Sequence, residues 1–187
     1  MVVPRFSFAT DREASQGDTM KFDVPAQDAK RAAHPHELIL VNLILNHVFF
    51  FVSSLGLSGP YPYLPLMVPI ISVSILAYIF WRAQRAKICD PWFVSAHWQV
   101  CARRSRLFLA MLAGASLLLL LGWLGYFYLH MAKVLVLALF SIAGLPVMIT
   151  MLVLVALESE ALNQAHNSSL PQWAAERFAA SNEKISN

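Results

Sequence analysis

The chain has 187 residues, of which 58% are hydrophobic and only 13% are charged, and its mean hydropathy is +0.56. Soluble domains usually carry about 25% charged residues, so the composition excludes an ordinary water-soluble domain and indicates an integral membrane protein. The net charge of +3 does not indicate nucleic-acid binding, because the basic residues adjoin apolar segments, where anionic lipid headgroups attract them. We expect no nucleic-acid partner.

Residues 1–37 are polar and lack apolar periodicity, and we predict that they form a disordered tail. The segment mixes basic with acidic side chains and has no apolar stretch of the kind that a cleavable signal peptide needs. We therefore expect the tail to be retained. Met20 opens an equally ordinary sequence, MKFDVPAQDAK, so translation from Met20 instead of Met1 is an open alternative.

Residues 38–157 are predicted to form an all-α domain of four transmembrane helices. A span needs about 20 predominantly apolar residues, and four such runs contain no Asp, Glu, Lys or Arg. Pro65 and Pro69 are expected to bend the first turns of the second run, and Pro146 to kink the fourth. The predicted spans are residues 38–57, 64–81, 107–129 and 134–157.

The first span carries polar side chains where lipid should be. Asn42 and Asn46 are four residues apart and share a helix face, which Ser53 extends, while His47 lies beside it. Such a polar stripe should face protein, where hydrogen bonds between helices contribute about 0.6–2 kcal/mol each. The sequence allows two interpretations, a structural bond between helices or a path for a proton, ion or small polar solute.

The distribution of basic residues predicts the orientation in the membrane. Six Lys and Arg residues lie between the second and third runs, one between the third and fourth, and none between the first and second. By the positive-inside rule, this linker and both termini are cytoplasmic, and the domain is two hairpins in a membrane that we expect to be the bacterial inner membrane. The topology-setting residues are Arg82, Arg85, Lys87, Arg103, Arg104 and Arg106.

The linker is predicted to contain an amphipathic helix over about residues 91–104. Asp90 suits the N-cap and Pro91 the first helical position, and apolar side chains recur at spacings of three and four, as in a helix lying in the headgroup plane. The helix should run into the third span and either rest on the membrane surface or dock a partner. Its candidate contact residues are Trp92, Phe93, His97, Trp98 and Val100.

A zinc site is an alternative use of the same linker. Cys89, His97 and Cys101 include a thiol and an imidazole four residues apart on one helical face, and His34 or His36 could add a fourth ligand. No CxxC pair is present, and three ligands at these spacings are a weak signal. We therefore expect two reduced cysteines in a cytoplasmic setting, with no metal and no cofactor.

Small residues mark one face of the third span and predict close helix packing. Ala110 and Gly114 form a small-xxx-small step, and Gly122 and Gly125 continue the face; close approach of two helix backbones needs such residues. The partner helix could belong to this chain or to another subunit.

Residues 158–187 are predicted to be a cytoplasmic C-terminal tail with a short helix over about residues 170–180. Ser169 and Gln172 form a capping-box arrangement at its start. The helix would carry Trp173 and Phe178, two aromatic side chains that should contact either the bilayer surface or a partner protein.

No catalytic constellation is visible, because the spans hold no carboxylate and no phosphate-binding loop or metalloprotease motif is present. We expect a non-enzymatic accessory, assembly or scaffold subunit of a larger membrane complex, whose partners are the lipid bilayer and other membrane subunits or further copies of itself. A small transporter or channel using the polar stripe is the alternative from another class. A b-type haem subunit, with His47 of two copies on one iron, and an adaptor for a soluble partner are also considered.

Overall fold

The computed structural model describes residues 19–57, 59–61 and 63–183, and this part of the chain is mostly helical. The elements in chain order are β1 (Thr19–Lys21), α1 (Ala26–Val41), a π-helical segment (Asn42–Phe50), α2 (Phe51–Gly56), α3 (Leu64–Cys89), α4 (Trp92–Tyr128), α5 (Lys133–His166), β2 (Ser169–Pro171) and α6 (Gln172–Glu183).

Within the described residues, four helical stretches are long and apolar enough to cross a membrane. About 20 residues suffice for one crossing, whereas α4 has 37 residues and is about 55 Å long at 1.5 Å per residue. The prediction of a helical chain with four membrane-spanning candidates is confirmed. The stretches are Ala26–Ser54, Leu64–Cys89, Trp92–Tyr128 and Ser141–His166.

The predicted disordered tail at residues 1–37 is wrong for its second half. Residues 1–18 lie outside the described part, but β1 and α1 form within residues 19–37. The helix buries Ala29, Ala32, Ala33 and His36, at spacings of three and four that place them on one face. Hydropathy misses this face because alanine is only weakly apolar and because charged residues lie between the buried positions.

The two ends of the described chain meet in a short antiparallel strand pair. Met20 in β1 lies opposite Leu170 in β2, and the backbone N–H of Phe22 donates to the carbonyl of Ser168 at 2.8 Å. Leu170 is fully buried. α6 follows β2 directly and lies where the sequence predicts a short helix, and the hydroxyl of Ser169 donates to the carbonyl of Gln164, in α5.

The linker between the second and third runs contains no separate amphipathic helix. α3 continues to Cys89, α4 starts at Trp92 and runs without a break into the apolar stretch, and only Asp90 and Pro91 lie between them. Residues 92–104 are therefore the first turns of a spanning helix, and most of their apolar side chains are buried by this chain's own residues. α1 and the extended α3 provide a protein surface against which these residues pack.

The chain divides into two compact units. The first comprises residues 1–102 and 158–187, and the second comprises residues 103–157. In the second unit, Arg104 Nη1 donates to the carbonyl of Leu157 at 2.9 Å. This unit is a hairpin of α4 and α5. At its turn, the N–H groups of Leu129 and Met131 both donate to the carbonyl of Gly125 at 3.1 Å, and His130 adopts a positive φ of 50°.

Candidate functional site

A buried group of polar side chains lies in the first unit where α1, α4 and α5 come together. We call it the His–Glu cluster, and it consists of His36, His97, Cys101 and Glu158. All four residues are at most 1% exposed. His36 comes from α1, His97 and Cys101 lie one turn apart in α4, and Glu158 is the first residue after the apolar run of α5. Folding thus gathers residues separated by up to 122 positions.

His36 is the central member of the His–Glu cluster because both of its ring nitrogens contact other members. Its Nδ1 lies 2.5 Å from Oε2 of Glu158, and its Nε2 lies 3.0 Å from Nδ1 of His97. The thiol of Cys101 donates to the carbonyl of Pro35, one residue before His36, at 3.3 Å. The hydrogen-bonding groups of three helices are therefore connected around one imidazole.

Both ring nitrogens of His36 keep their hydrogen bonds to Glu158 and His97 whether the ring is neutral or charged. A neutral ring carrying its proton on Nδ1 donates to Glu158 and accepts from His97, and a charged ring donates to both. Burying a carboxylate without a partner is strongly unfavourable. The contact between His36 and Glu158 offsets this penalty, so losing either side chain should destabilise the first unit.

Aromatic side chains pack beside the His–Glu cluster. The ring of Phe93 lies 4.8 Å from that of His97, and Phe22 packs edge-on against Trp92 at 4.9 Å. Phe93 itself is 1% exposed. Electrostatic interactions are stronger in such water-poor surroundings than at a surface.

A second polar group, the Asp90 cluster, joins α1 to the turn between α3 and α4. Asp90 Oδ1 accepts from Arg31 Nη2 at 2.5 Å, and its Oδ2 lies 2.5 Å from Arg82 Nη2. The guanidinium of Arg82 also lies 5.3 Å from the ring centre of Trp98. The predicted N-cap role of Asp90 is replaced by ion pairing, because the side chain of Asp90 lies between two arginines.

The polar stripe of the first span faces α3. Asn42 Nδ2 donates to the hydroxyl of Ser72 at 3.1 Å, and Asn46 Nδ2 donates both to Asn42 Oδ1 at 3.1 Å and to the carbonyl of Val68 at 3.0 Å. Asn42 and Ser72 are fully buried. These amides are therefore used in contacts between two helices.

The other two residues of the predicted stripe do not join this contact. His47 is half-buried and its Nδ1 lies 2.9 Å from the carbonyl of Asn42, while Ser53 is exposed and Ser54 is buried in its place. The intervening residues form a π-helix, in which N–H groups bond five residues back. A face read at 3.6 residues per turn therefore drifts along this segment.

The predicted packing face of the third span separates into two parts. Gly122 and Gly125 are buried within the hairpin, where a Cβ on Gly122 would lie 3.3 Å from Leu139 Cδ1 and one on Gly125 would collide with the Met131 side chain. Ala110 and Gly114 are exposed, and a Cβ on Gly114 would meet no described atom within 4 Å.

The remaining sequence candidates divide by exposure. Among the proposed docking residues, Trp92 alone is not buried; it is half-buried. Among the proposed topology-setting residues, Arg85 lies 5.5 Å above the ring of Trp81. Phe93, His97, Trp98 and Val100 are buried, whereas Arg85, Lys87, Arg103 and Arg106 are exposed.

The sequence indicates Cys89, His97 and Cys101 as possible metal ligands, with His34 or His36 as a fourth. It does not indicate Glu158, and Cys89 is exposed. The available signal was position, because Glu158 directly follows an apolar run and therefore lies where a span leaves the hydrocarbon core. Comparison with protein-family models, with curated proteins and with solved structures finds no match to the chain.

Proposed function

We propose that this chain is a non-catalytic integral membrane subunit that acts by packing its helices against other membrane proteins, as an accessory, assembly or scaffold component. The contacts of the polar stripe support this use over solute conduction. Asn42 and Asn46 bond to Ser72 and to the backbone of Val68, so their amides join two helices of the chain instead of lining an open path.

The exposed small-residue step of α4 is the observation that carries the proposal. Ala110 and Gly114 lie one turn apart and are exposed, although the matching glycines further along the helix are covered by the chain's own hairpin. A small-xxx-small step permits close contact between helix backbones in a membrane. The partner that would use this step is another membrane helix, from a different subunit or from a second copy.

The proposed orientation places both termini and the turn between α3 and α4 on the cytoplasmic side of a bacterial inner membrane. The positive-inside rule supports it, because the exposed Arg85 and Lys87 lie near this turn. The two polar clusters are consistent with two hairpins. Contacts of His36 with Glu158 and of Arg31 with Asp90 join parts of α1, α5 and the turn between α3 and α4 that such a topology places on one side.

Mild detergent extraction at native expression, followed by size analysis and identification of co-purifying subunits, tests the proposal. Ala110→Leu with Gly114→Leu should disrupt the larger particle while the protein remains in the membrane. Ser116→Leu is the matched control, since Ser116 is also small and exposed and lies on the opposite side of α4. A monomeric wild-type particle without companions, or equal loss with both sets of variants, would contradict the proposal.

A further inference from the structure

We propose that His36, Cys101 and Glu158 form a binding site for a divalent transition metal, and that zinc is the metal whose preferences the site fits best. The inference does not depend on the proposed packing function. One ligand atom from each of the three residues lies within 4.8 Å of the other two, and all three residues are buried. The ligands come from α1, α4 and α5, so metal binding would connect three helices.

The distances are close to those of a metal site. Zinc bonds to nitrogen, oxygen and sulfur are about 2.0–2.3 Å long, so the ligand atoms around a tetrahedral ion lie about 3–4 Å apart. A set of atoms within 4.8 Å of one another reaches this spacing by small side-chain rotations. The imidazole, thiolate and carboxylate donors suit zinc, whereas calcium and magnesium prefer sites made only of oxygen.

The contacts of His36 decide which of its atoms binds the metal. Nε2 faces His97 at 3.0 Å, and Nδ1 faces Glu158 at 2.5 Å, so Nδ1 is on the side of the carboxylate ligand. With Nδ1 on the metal, Nε2–H donates to His97 Nδ1. Metal-binding histidines almost always donate their other N–H to a neighbouring acceptor, which fixes the tautomer and the ring orientation. His97 is thus a positioning residue.

The charges of the site also balance with a divalent ion. Glu158 and a deprotonated Cys101 together carry two negative charges, and neither side chain has access to water. A divalent cation neutralises both, which removes the penalty for burying them. Three protein ligands leave a fourth position on a tetrahedral zinc ion, as in sites that bind water or a further small ligand.

Cobalt(II) titration of the purified full-length protein in detergent tests the site directly, because cobalt replaces zinc and reports thiolate coordination by a charge-transfer absorption band. Wild type and Cys89→Ser should both bind one ion with this band. Cys101→Ser should lose the band, and Glu158→Gln should bind more weakly. His97→Gln should keep the band and weaken binding by about 10–100-fold. Zinc content measured by mass spectrometry should follow the same order.

The two cysteines make a matched pair for this test, because Cys101 is buried in the cluster and Cys89 is exposed outside it. Absence of the band and of bound zinc in the wild-type protein would overturn the proposal whatever the variants do. Equal metal content in wild type and folded Cys101→Ser would also overturn it. If Cys101→Ser fails to fold, the wild-type spectrum and the folded Glu158→Gln variant still decide the outcome.

Discussion

Replacing Asp90 with asparagine should destabilise the first unit by about 2–4 kcal/mol, because both carboxylate oxygens contact arginines. The magnitude follows from the exposure of the two partners. The side chain of Arg31 is 43% exposed, so its contribution should resemble that of a surface ion pair, about 0.5–1 kcal/mol. The side chain of Arg82 is 21% exposed and that of Asp90 is 2% exposed, so water screens this ion pair less and its contribution should be larger, about 1.5–3 kcal/mol, the range for interactions with charged groups.

The exposures of the two arginines also predict the order in which the single variants lose stability. Asp90→Asn should be most destabilising, Arg82→Gln next and Arg31→Gln least, because Arg31 is more exposed than Arg82 and its second ion pair, with Asp28, is long at 3.7 Å and therefore weak. A loss of about 2–4 kcal/mol corresponds to about a 30- to 700-fold increase in the unfolding equilibrium constant.

Unfolding of these variants can be followed by alkylation of Cys101 in a Cys89→Ser background, with a metal chelator present throughout. Cys101 is fully buried, so it reacts only when the first unit opens. Mixed-micelle denaturation then gives the free energy of unfolding for each variant. An Asp90→Asn protein within about 0.5 kcal/mol of its parent, a difference typical of surface substitutions, would refute this account of the Asp90 cluster. So would an Arg31→Gln variant less stable than Arg82→Gln.

Three further results are expected. A double-mutant cycle between Asn42→Ala and Ser72→Ala should give a coupling of about 0.6–1.7 kcal/mol, measured by the same unfolding assay; additive effects would mean that their 3.1 Å contact has no energetic role. Gly122→Leu should destabilise the hairpin by about 1–3 kcal/mol through overpacking, whereas Gly114→Leu should leave the stability of the isolated protein unchanged, as measured by thermal unfolding; equal effects would contradict the assigned packing. Cys89 should react with a membrane-impermeant thiol reagent only from the cytoplasmic side, and labelling in intact cells would exclude the proposed orientation.

The four candidate membrane-spanning helices could be predicted from sequence because hydropathy depends on composition over about 20 residues and not on tertiary contacts. The structured region before the first predicted span could not be predicted in this way. Ala29, Ala32 and Ala33 are buried because a second surface lies close enough for small side chains to fit. That surface comes from parts of the chain far away in sequence, which no local pattern reports.

For the His–Glu cluster, too, the sequence pattern identifies only members that lie close together along the chain. Helical spacing predicts that His97 and Cys101 share one face of α4, and His34 or His36 is a possible addition. Glu158 could not be paired with them, since 122 residues separate it from His36. Cys89 was included on spacing alone, and the change of direction at Asp90 places it outside. Asn42 and Asn46 are both buried although they lie within the π-helical segment, whereas beyond that segment Ser53 is exposed and Ser54 is buried.

The pairing of β1 with β2, together with the contact of His36 with Glu158, has a consequence for biosynthesis. The early half of each contact leaves the ribosome before the later half has been translated, so β1 and α1 are synthesised without the residues with which they pair. A stop codon ahead of the codon for Glu158 would leave His36 without the carboxylate that Glu158 supplies. Such truncated products would lack the residues that pair with β1 and His36, and quality-control proteases could distinguish them from full-length chains by that difference.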